Sequence, residues 1–219
     1  MPKFVLISDT HTKHRQLNMP EGDILIHCGD ITYTGELDVI QDFNKWLGEL
    51  NYKHTIVIFG NHELKWPQRS FEYKQTILSN AIYLEDSEIT IDGIKFYGSP
   101  WQPYFFSWAW NFPENKKEYK EFAINTWNKI PDDVDVLITH GPPYGILDKT
   151  NTPNQNEDPH VGCKYLLKRV NELKNLKLHI MGHLHESRNL IKINNTIFVN
   201  ASTLDENYDI VREPIVIDL

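Results

Sequence analysis

Side chains of the types that bind metal ions follow five short apolar runs of this sequence. They are Asp, Asn and His residues, namely Asp9, His11, Asp30, Asn61, His62, His140, His183 and His185. Imidazole combined with carboxylate and amide oxygen suits Zn, Mn, Fe or Ni better than Ca or Mg. We therefore expect the five clusters to converge on one transition-metal site.

The number of these side chains predicts two metal ions. The seven that remain without His62 are too many for one tetrahedral ion, but they suit two ions that share a bridging carboxylate. Two divalent ions carry +4, while Asp9, Asp30 and a bridging hydroxide carry −3, which leaves a net charge near +1. A site of this charge suits an anionic substrate such as a phosphodiester.

His62 lies beside the predicted ligand Asn61 and is not needed as a ligand itself. We expect His62 to protonate the leaving oxygen, because a general acid in that position contributes about 10²–10⁴-fold to the rate. Glu63 is the next residue. We expect its carboxylate to orient His62 or a metal ligand.

The apolar runs before the clusters predict buried strands. Each is short, rich in Val, Ile or Leu, and leads into the polar residues, as Phe4 to Ile7 does before Asp9. Ligands of α/β sheets collect at such strand ends. Apolar stripes predict helices over 36–50, 119–130 and 161–173, and turn signals predict hairpins at 92–93 and 194–195. The combination predicts a mixed α/β fold with two packed sheets and outer helices.

Length and composition predict a single globular domain over residues 1–219, with 40% hydrophobic and 24% charged residues. The net charge of −8 argues against an extended nucleic-acid partner. Two cysteines are too few for a disulfide framework. Only four consecutive apolar residues precede Ser8, and no stretch reaches the length of a membrane span. We therefore expect no signal peptide, no membrane partner and a cytoplasmic location.

The ordered set of clusters resembles the calcineurin-like metallophosphoesterases. The motifs that carry the resemblance are Asp9-Thr10-His11, Gly29-Asp30, Gly60-Asn61-His62-Glu63, His140-Gly141 and Gly182-His183-Leu184-His185. Further motifs, among them Gly98-Ser99-Pro100-Trp101 and Val161-Gly162-Cys163, resemble the brain-expressed metallophosphoesterase-domain phosphodiesterases and their microbial relatives.

The resemblance implies a four-layer αββα sandwich of two mixed sheets with flanking helices. It also implies two divalent ions, with manganese preferred and iron, zinc or nickel as alternatives. Asp9, His11 and His185 would bind one ion, and Asn61, His140 and His183 the other. Asp30 would bridge the two ions, and His62 would be the proton donor.

Two features of the sequence separate subgroups of this family. Phosphoprotein phosphatases carry Asp-Arg-Gly where this chain has Tyr33-Thr34-Gly35, which counts against activity on phosphoproteins. Some animal members of the subgroup have Gly at the position of His183 and are weakened by it. His183 is present here, so we expect a complete second ion site. His62, which scaffold proteins of this fold lack, is present as well.

We expect a phosphodiesterase that hydrolyses a small phosphodiester, such as a cyclic nucleotide, by in-line attack of a metal-bridging hydroxide. Three alternatives stay open. They are a phosphomonoesterase acting on nucleotides or phosphoproteins, a nuclease, and a non-catalytic metal-binding scaffold. The natural substrate and the oligomeric state are not predicted.

Two further residues are predicted to contact the substrate. Trp101 begins an aromatic run over 101–112, which is either a lid that stacks on a nucleobase or packing on the core. His160 precedes Val161-Gly162-Cys163, where relatives often carry a basic residue, so we expect it to contact a substrate phosphate. Nearby, the segment Asn151 to Pro159 has the composition of a mobile loop.

Overall fold

The secondary structure follows the apolar patterns of the sequence. The computed structural model describes residues 2–113, 115–151 and 158–219, so most of the predicted loop from Asn151 to Pro159 lies outside the described residues. The described strands are β1 Lys3–Ile7, β2 Ile24–His27, β3 His54–Val57, β4 Ile82–Tyr83, β5 Ser87–Ile91, β6 Ile94–Ser99, β7 Val136–Thr139, β8 Leu178–Met181, β9 Asn189–Ile193, β10 Thr196–Asn200 and β11 Ile215–Asp218. The described helices are α1 Leu37–Glu49, α2 Phe71–Ile77, α3 Lys116–Trp127 and α4 Lys164–Glu172.

The strands form two mixed sheets. The first sheet has the order β11-β1-β2-β3-β4, with β1 to β4 parallel and β11 antiparallel to β1. The second sheet has the order β5-β6-β7-β8-β10-β9, with the two predicted hairpins, β5-β6 and β9-β10, at its edges. Because the inner strands are parallel within each sheet, their carboxyl ends lie along one edge of it.

Alternating side chains of the strands build a core on each face of each sheet. On β1, Phe4 and Leu6 point between the sheets, whereas Val5 and Ile7 pack under the helices. The core between the sheets also contains Ile26, Ile58, Phe96, Ile138 and Ile180, all fully buried. Full burial of each such side chain contributes about 1.5–3 kcal/mol.

The helices cover the outer faces of the sheets. Helix α1 packs Ile40, Phe43 and Trp46 onto the first sheet. Helices α3 and α4 pack Ala123, Trp127, Leu166 and Val170 onto the second sheet. The layers are therefore helix, sheet, sheet and helix, which confirms the predicted αββα sandwich. Among the helices of the described ranges, none is long and apolar enough to cross a membrane.

The backbone bends sharply where the strands end in ligand-type residues. Asp9, His11, Asp30 and His183 have φ values of 53°, 37°, 59° and 70°. Positive φ is disfavoured for residues with a Cβ, although Asp, Asn and His tolerate it better than most. Holding a residue in such a region lowers the stability of the folded state by about 1–3 kcal/mol. Four of the seven predicted ligands therefore have strained backbone, and His140 is not among them.

This difference predicts opposite effects of glycine at two histidines. At His183, the Gly variant should be about 1 kcal/mol more stable than the Ala variant, because only glycine adopts positive φ without strain. At His140, the Ala variant should be the more stable of the two. Urea unfolding of all four variants with a chelator present, followed by circular dichroism, measures the two differences. The same order at both positions would contradict the expectation.

Candidate metal centre

The structure brings all seven predicted ligands and His62 together. Ligand atoms within 4.8 Å of one another form three overlapping groups, Asp9/His11/His185, Asp30/His140/His183 and His11/Asp30/His62. Asn61 joins the second group, because its Oδ1 lies 2.8 Å from His140 Nε2. We call Asp9, His11 and His185 the first ion group, and Asn61, His140 and His183 the second ion group.

Asp30 lies between the two ion groups. Its Oδ2 is 4.0 Å from His11 Nε2 and 3.2 Å from His140 Nε2. Its Oδ1 accepts a hydrogen bond from the backbone N–H of His62 at 2.9 Å. One oxygen of this carboxylate is therefore fixed by the backbone, while the other faces histidines of both groups.

The residues fit divalent cations. The Nε2 atom of His11 is buried and has no hydrogen-bond partner among the described residues. It faces Asp30, and the ion pairs that Asp9 and Asp30 form within the described residues are all with histidines. A buried ring nitrogen without a partner and carboxylates without Lys or Arg form a donor set that a bound cation would satisfy.

The protonation of the four ring ligands differs with their surroundings. Burial lowers the pKa of His11 to about 4 and the pKa of His183 to about 3. Burial would also lower the pKa of His140, but the charge of Asp30 outweighs it and raises that pKa to about 9. At His185, the carboxylate of Asp9, 3.7 Å from Nε2, likewise outweighs burial and raises the pKa to about 9. A cation that binds His140 and His185 must therefore displace protons.

Backbone carbonyl groups fix the orientation of the histidine rings. In each case the Nδ1 atom lies within hydrogen-bond distance of a carbonyl oxygen, which assigns the proton to Nδ1 and leaves Nε2 toward the centre. The pairs are His11 with Thr32 (2.9 Å), His62 with Tyr33 (2.8 Å), His140 with Cys28 (2.8 Å) and His185 with Asp205 (2.8 Å).

The carboxylate of Glu63 joins two of the ligand loops. Glu63 is fully buried, and its Oε2 accepts hydrogen bonds from the backbone N–H groups of Asp30 (3.2 Å) and Gly60 (2.7 Å). Its Oε1 accepts from the N–H groups of Ile31 and Thr32 at 2.9 and 3.0 Å. Glu63 therefore holds the backbone of Asp30 rather than contacting the substrate cavity.

Two glycines allow the ligand loops to approach closely. A Cβ at Gly60 would lie 2.6 Å from His140 Cε1 and closer still to Asp30 Oδ1. A Cβ at Gly182 would clash with Ser8 Oγ and Asp9 Oδ2. Neither position has room for a side chain, because a ligand carboxylate occupies the space.

A cavity of about 380 Å³ opens above the ligands. Asp30, Asn61, His62, His183 and His185 contribute to its floor. The remaining lining residues are Pro103, Tyr104, Phe105, Pro142, Thr150, Val161, Leu184, Glu186, Glu206 and Tyr208. The walls are thus mainly apolar and aromatic, with two carboxylates and no Lys or Arg among the described lining residues.

Trp101 does not reach this cavity. Its indole Nε1 donates a hydrogen bond to Asp86 Oδ2 at 3.2 Å, and its ring packs 4.8 Å from Phe122 and 5.4 Å from Trp110. The aromatic run over 101–112 is divided between two environments. Trp110 and Phe112 are buried, whereas Tyr104 and Phe105 line the cavity and are 41% and 49% exposed. The sequence did not indicate which aromatic residues belong to which environment.

His160 also lies outside the wall of this cavity. Its Nδ1 atom is 2.5 Å from Oδ1 of the buried Asp148. The other oxygen of this carboxylate, Oδ2, accepts hydrogen bonds from the N–H groups of Gly145 and Gly162. The structure therefore places His160 in a loop-stabilising contact. Residues that the sequence reasoning missed include Tyr208 on the cavity wall and Trp108, whose ring lies 4.2 Å from that of His62.

Comparisons with known proteins agree with the fold. A family model described as calcineurin-like phosphoesterase matches residues 2–187. Metallophosphoesterase domain-containing protein 1 of Homo sapiens is 41% identical over 239 aligned positions, covering 99% of this chain and 71% of that protein. A UPF0046 protein of Caenorhabditis elegans is 34% identical over 246 positions, covering 99% of this chain and 60% of that protein.

A solved structure superposes with a TM-score of 0.64 at 22% identity, covering 91% of this chain and 90% of the other. This similarity shows that the two chains share a fold. The family of the chain is shown by the family model, which matches most of the sequence. The chain belongs to the calcineurin-like phosphoesterase family, whose members use divalent metal ions to hydrolyse phosphoesters.

Proposed function

We propose that this protein is a phosphodiesterase that uses two divalent transition-metal ions, manganese before iron, zinc or nickel, to hydrolyse a small phosphodiester such as a cyclic nucleotide. The observation that carries the proposal is the position of Asp30 between two ion groups on the floor of a cavity. A single-ion site would leave one of the two groups without a role.

Each ion group would hold one ion. Asp9, His11 and His185 would bind the first, Asn61, His140 and His183 would bind the second, and Asp30 would contribute to both. When bound, the ions would lower the pKa of water enough to supply a nucleophile near neutral pH and would offset the charge of the phosphate.

The position of His62 suits a proton donor. Its side chain is 12% exposed on the cavity floor, and its Nε2 lies 3.9 Å from Asp30 Oδ2. Tyr33 holds Nδ1 through its carbonyl, and the ring of Trp108 packs against the imidazole at 4.2 Å. With the ring fixed in this way, Nε2 is the atom that can deliver a proton to the leaving oxygen.

The charge of the cavity wall favours a diester over a monoester. A phosphomonoester carries about one more negative charge near neutral pH than a diester does. Glu186 and Glu206 line the wall, and the described lining residues include no Lys or Arg that would neutralise this extra charge. Tyr104 and Phe105 offer aromatic faces, on which a nucleobase stacks with about 1–3 kcal/mol. These contacts support a nucleotide-like diester.

The preference between the two ester classes tests the proposal directly. With Mn²⁺ present, kcat/KM for bis(p-nitrophenyl) phosphate should exceed kcat/KM for p-nitrophenyl phosphate by about tenfold or more, because the wall carboxylates repel the more highly charged monoester. A factor of ten corresponds to about 1.4 kcal/mol. A panel of 2′,3′- and 3′,5′-cyclic nucleotides, assayed with each metal in turn, then identifies the natural class. Faster hydrolysis of the monoester would overturn the diesterase assignment.

Substitution of His62 separates acid catalysis from metal binding. His62→Ala should lower kcat by about 10²–10⁴-fold while the metal content stays near two ions per chain. The half-buried His54 at the start of β3 provides a control, since His54→Ala should leave kcat unchanged. Steady-state kinetics and elemental analysis measure both quantities. Loss of metal in His62→Ala would instead identify His62 as a ligand. The geometry is compatible with that role, because ligand atoms of His62, His11 and Asp30 lie within 4.8 Å of one another.

Neighbouring phenylalanines test the stacking of a base. Phe105 lines the cavity, whereas Phe106 is 67% exposed and does not line it. Phe105→Ala should raise KM for a cyclic nucleotide by about 5–150-fold, since it removes a stacking face worth about 1–3 kcal/mol. Phe106→Ala should change KM by less than about threefold, well below that stacking effect. Equal effects of the two substitutions would argue against a base-binding role for Phe105.

A further inference from the structure

A segment beyond the residues matched by the family model contacts the first ion group. This segment, residues 202–212, follows β10 and runs past the end of β1, where Ser202 and Ser8 form an isolated parallel bridge. Thr203 strengthens this junction, because its N–H and its Oγ1 both donate to the carbonyl of Ser8, at 3.0 and 2.8 Å. The segment therefore connects the second sheet to the strand end that carries Asp9.

Ser202 holds the carboxylate of Asp9. Both side chains are fully buried, and Ser202 Oγ donates a hydrogen bond to Asp9 Oδ2 at 2.7 Å. The other donor to this carboxylate is the backbone N–H of His183, at 3.0 Å from Oδ1 and 3.1 Å from Oδ2. Because these are the only two hydrogen-bond donors to the carboxylate among the described residues, the orientation of Asp9 depends on the hydroxyl of Ser202.

The same segment also supports the two histidines of the first ion group. The carbonyl of Asp205 accepts a hydrogen bond from His185 Nδ1, and Arg212 donates to the carbonyls of His185 and Leu204. The ring of Tyr208 packs edge-on at 4.8 Å from His11 and 5.2 Å from His185. All three ligands of this group thus contact the segment.

The second ion group is held by other parts of the chain. His140 bonds to the carbonyl of Cys28, and the carbonyl of Asn61 accepts a hydrogen bond from the N–H of Ala109. Within the described ranges, no hydrogen bond joins residues 202–212 to Asn61, His140 or His183. Apart from the hydrogen bond from the His183 N–H to Asp9, the two groups are therefore supported by different parts of the chain.

We propose that Ser202 is a positioning residue for the first ion group, and that residues 202–212 set the metal affinity of this group separately from that of the second. The proposal rests on the two-metal function proposed above. Loss of a hydrogen bond that orients a metal ligand weakens metal binding by about 10–100-fold. Removal of the Ser202 hydroxyl should therefore weaken one ion site and spare the other.

The experiment compares Ser202→Ala with Ser8→Ala. Ser8 is the matched control, because it is equally buried and pairs with Ser202 across the same bridge. Among the described residues, its hydroxyl bonds only to the carbonyl of Gly29, at 3.4 Å. Titration of the chelator-treated full chain with Mn²⁺, followed by calorimetry, gives both dissociation constants. Electron paramagnetic resonance distinguishes a coupled pair of Mn²⁺ ions from a single ion, and thermal unfolding without metal reports any loss of stability.

In Ser202→Ala, one dissociation constant should rise about 10–100-fold, and the signal of a single ion should replace that of the pair at intermediate Mn²⁺. Ser8→Ala should keep both constants close to those of the unmodified chain, and Ser202→Thr, which retains a hydroxyl, should restore the pair. Two results would overturn this inference but not the proposed function. One is that both dissociation constants stay unchanged in Ser202→Ala. The other is that Ser202→Ala and Ser8→Ala weaken the binding of both ions equally. An unmodified chain that binds no Mn²⁺ would overturn the proposed function as well.

Discussion

The burial of two carboxylates among histidines is the constraint on which the rest of the structure depends. Asp9 and Asp30 are 0% and 2% exposed, and a charge buried without a partner costs several kcal/mol. Each oxygen therefore faces an imidazole, a backbone N–H or a hydroxyl. Asp9 follows a strand of the first sheet, whereas its donors Ser202 and His183 follow strands of the second sheet. The two sheets must therefore pack in one relative position for the charge of Asp9 to be satisfied.

This constraint explains why the supporting contacts are so largely backbone contacts. Carbonyl groups orient the rings of His11, His62, His140 and His185, and the carboxylate of Glu63 gathers the N–H groups of two loops. These backbone groups belong to loops that follow the strands, and they have no rotamers to fix, so they keep the ligands in place at little cost in side-chain entropy. The packing between the sheets in turn sets where these loops lie relative to one another.

The sequence predicted the features that produce a regular pattern. The five strands before the clusters and helices α1, α3 and α4 follow from apolar patterning, the two hairpins follow from turn signals, and the candidate ligands follow from their position after strands. Helix α2 was missed because seven residues are too few for a periodic stripe. The contributions of Ser202 and Asp205 were missed because a hydroxyl and a carbonyl carry no distinctive spacing. Trp101 and Phe105 could not be told apart, since a run of aromatic residues does not reveal which of them face inward.

The left-handed backbone at His183 has an evolutionary consequence. A single change to glycine at this position removes a metal ligand and relieves backbone strain in the same step. Selection on stability would then favour, rather than purge, the loss of the ligand. His11 of the first ion group also has positive φ and offers the same gain, whereas His140 offers none. A lineage under weak selection for catalysis would be expected to lose ligands at these positive-φ positions before it loses His140, while keeping the fold intact.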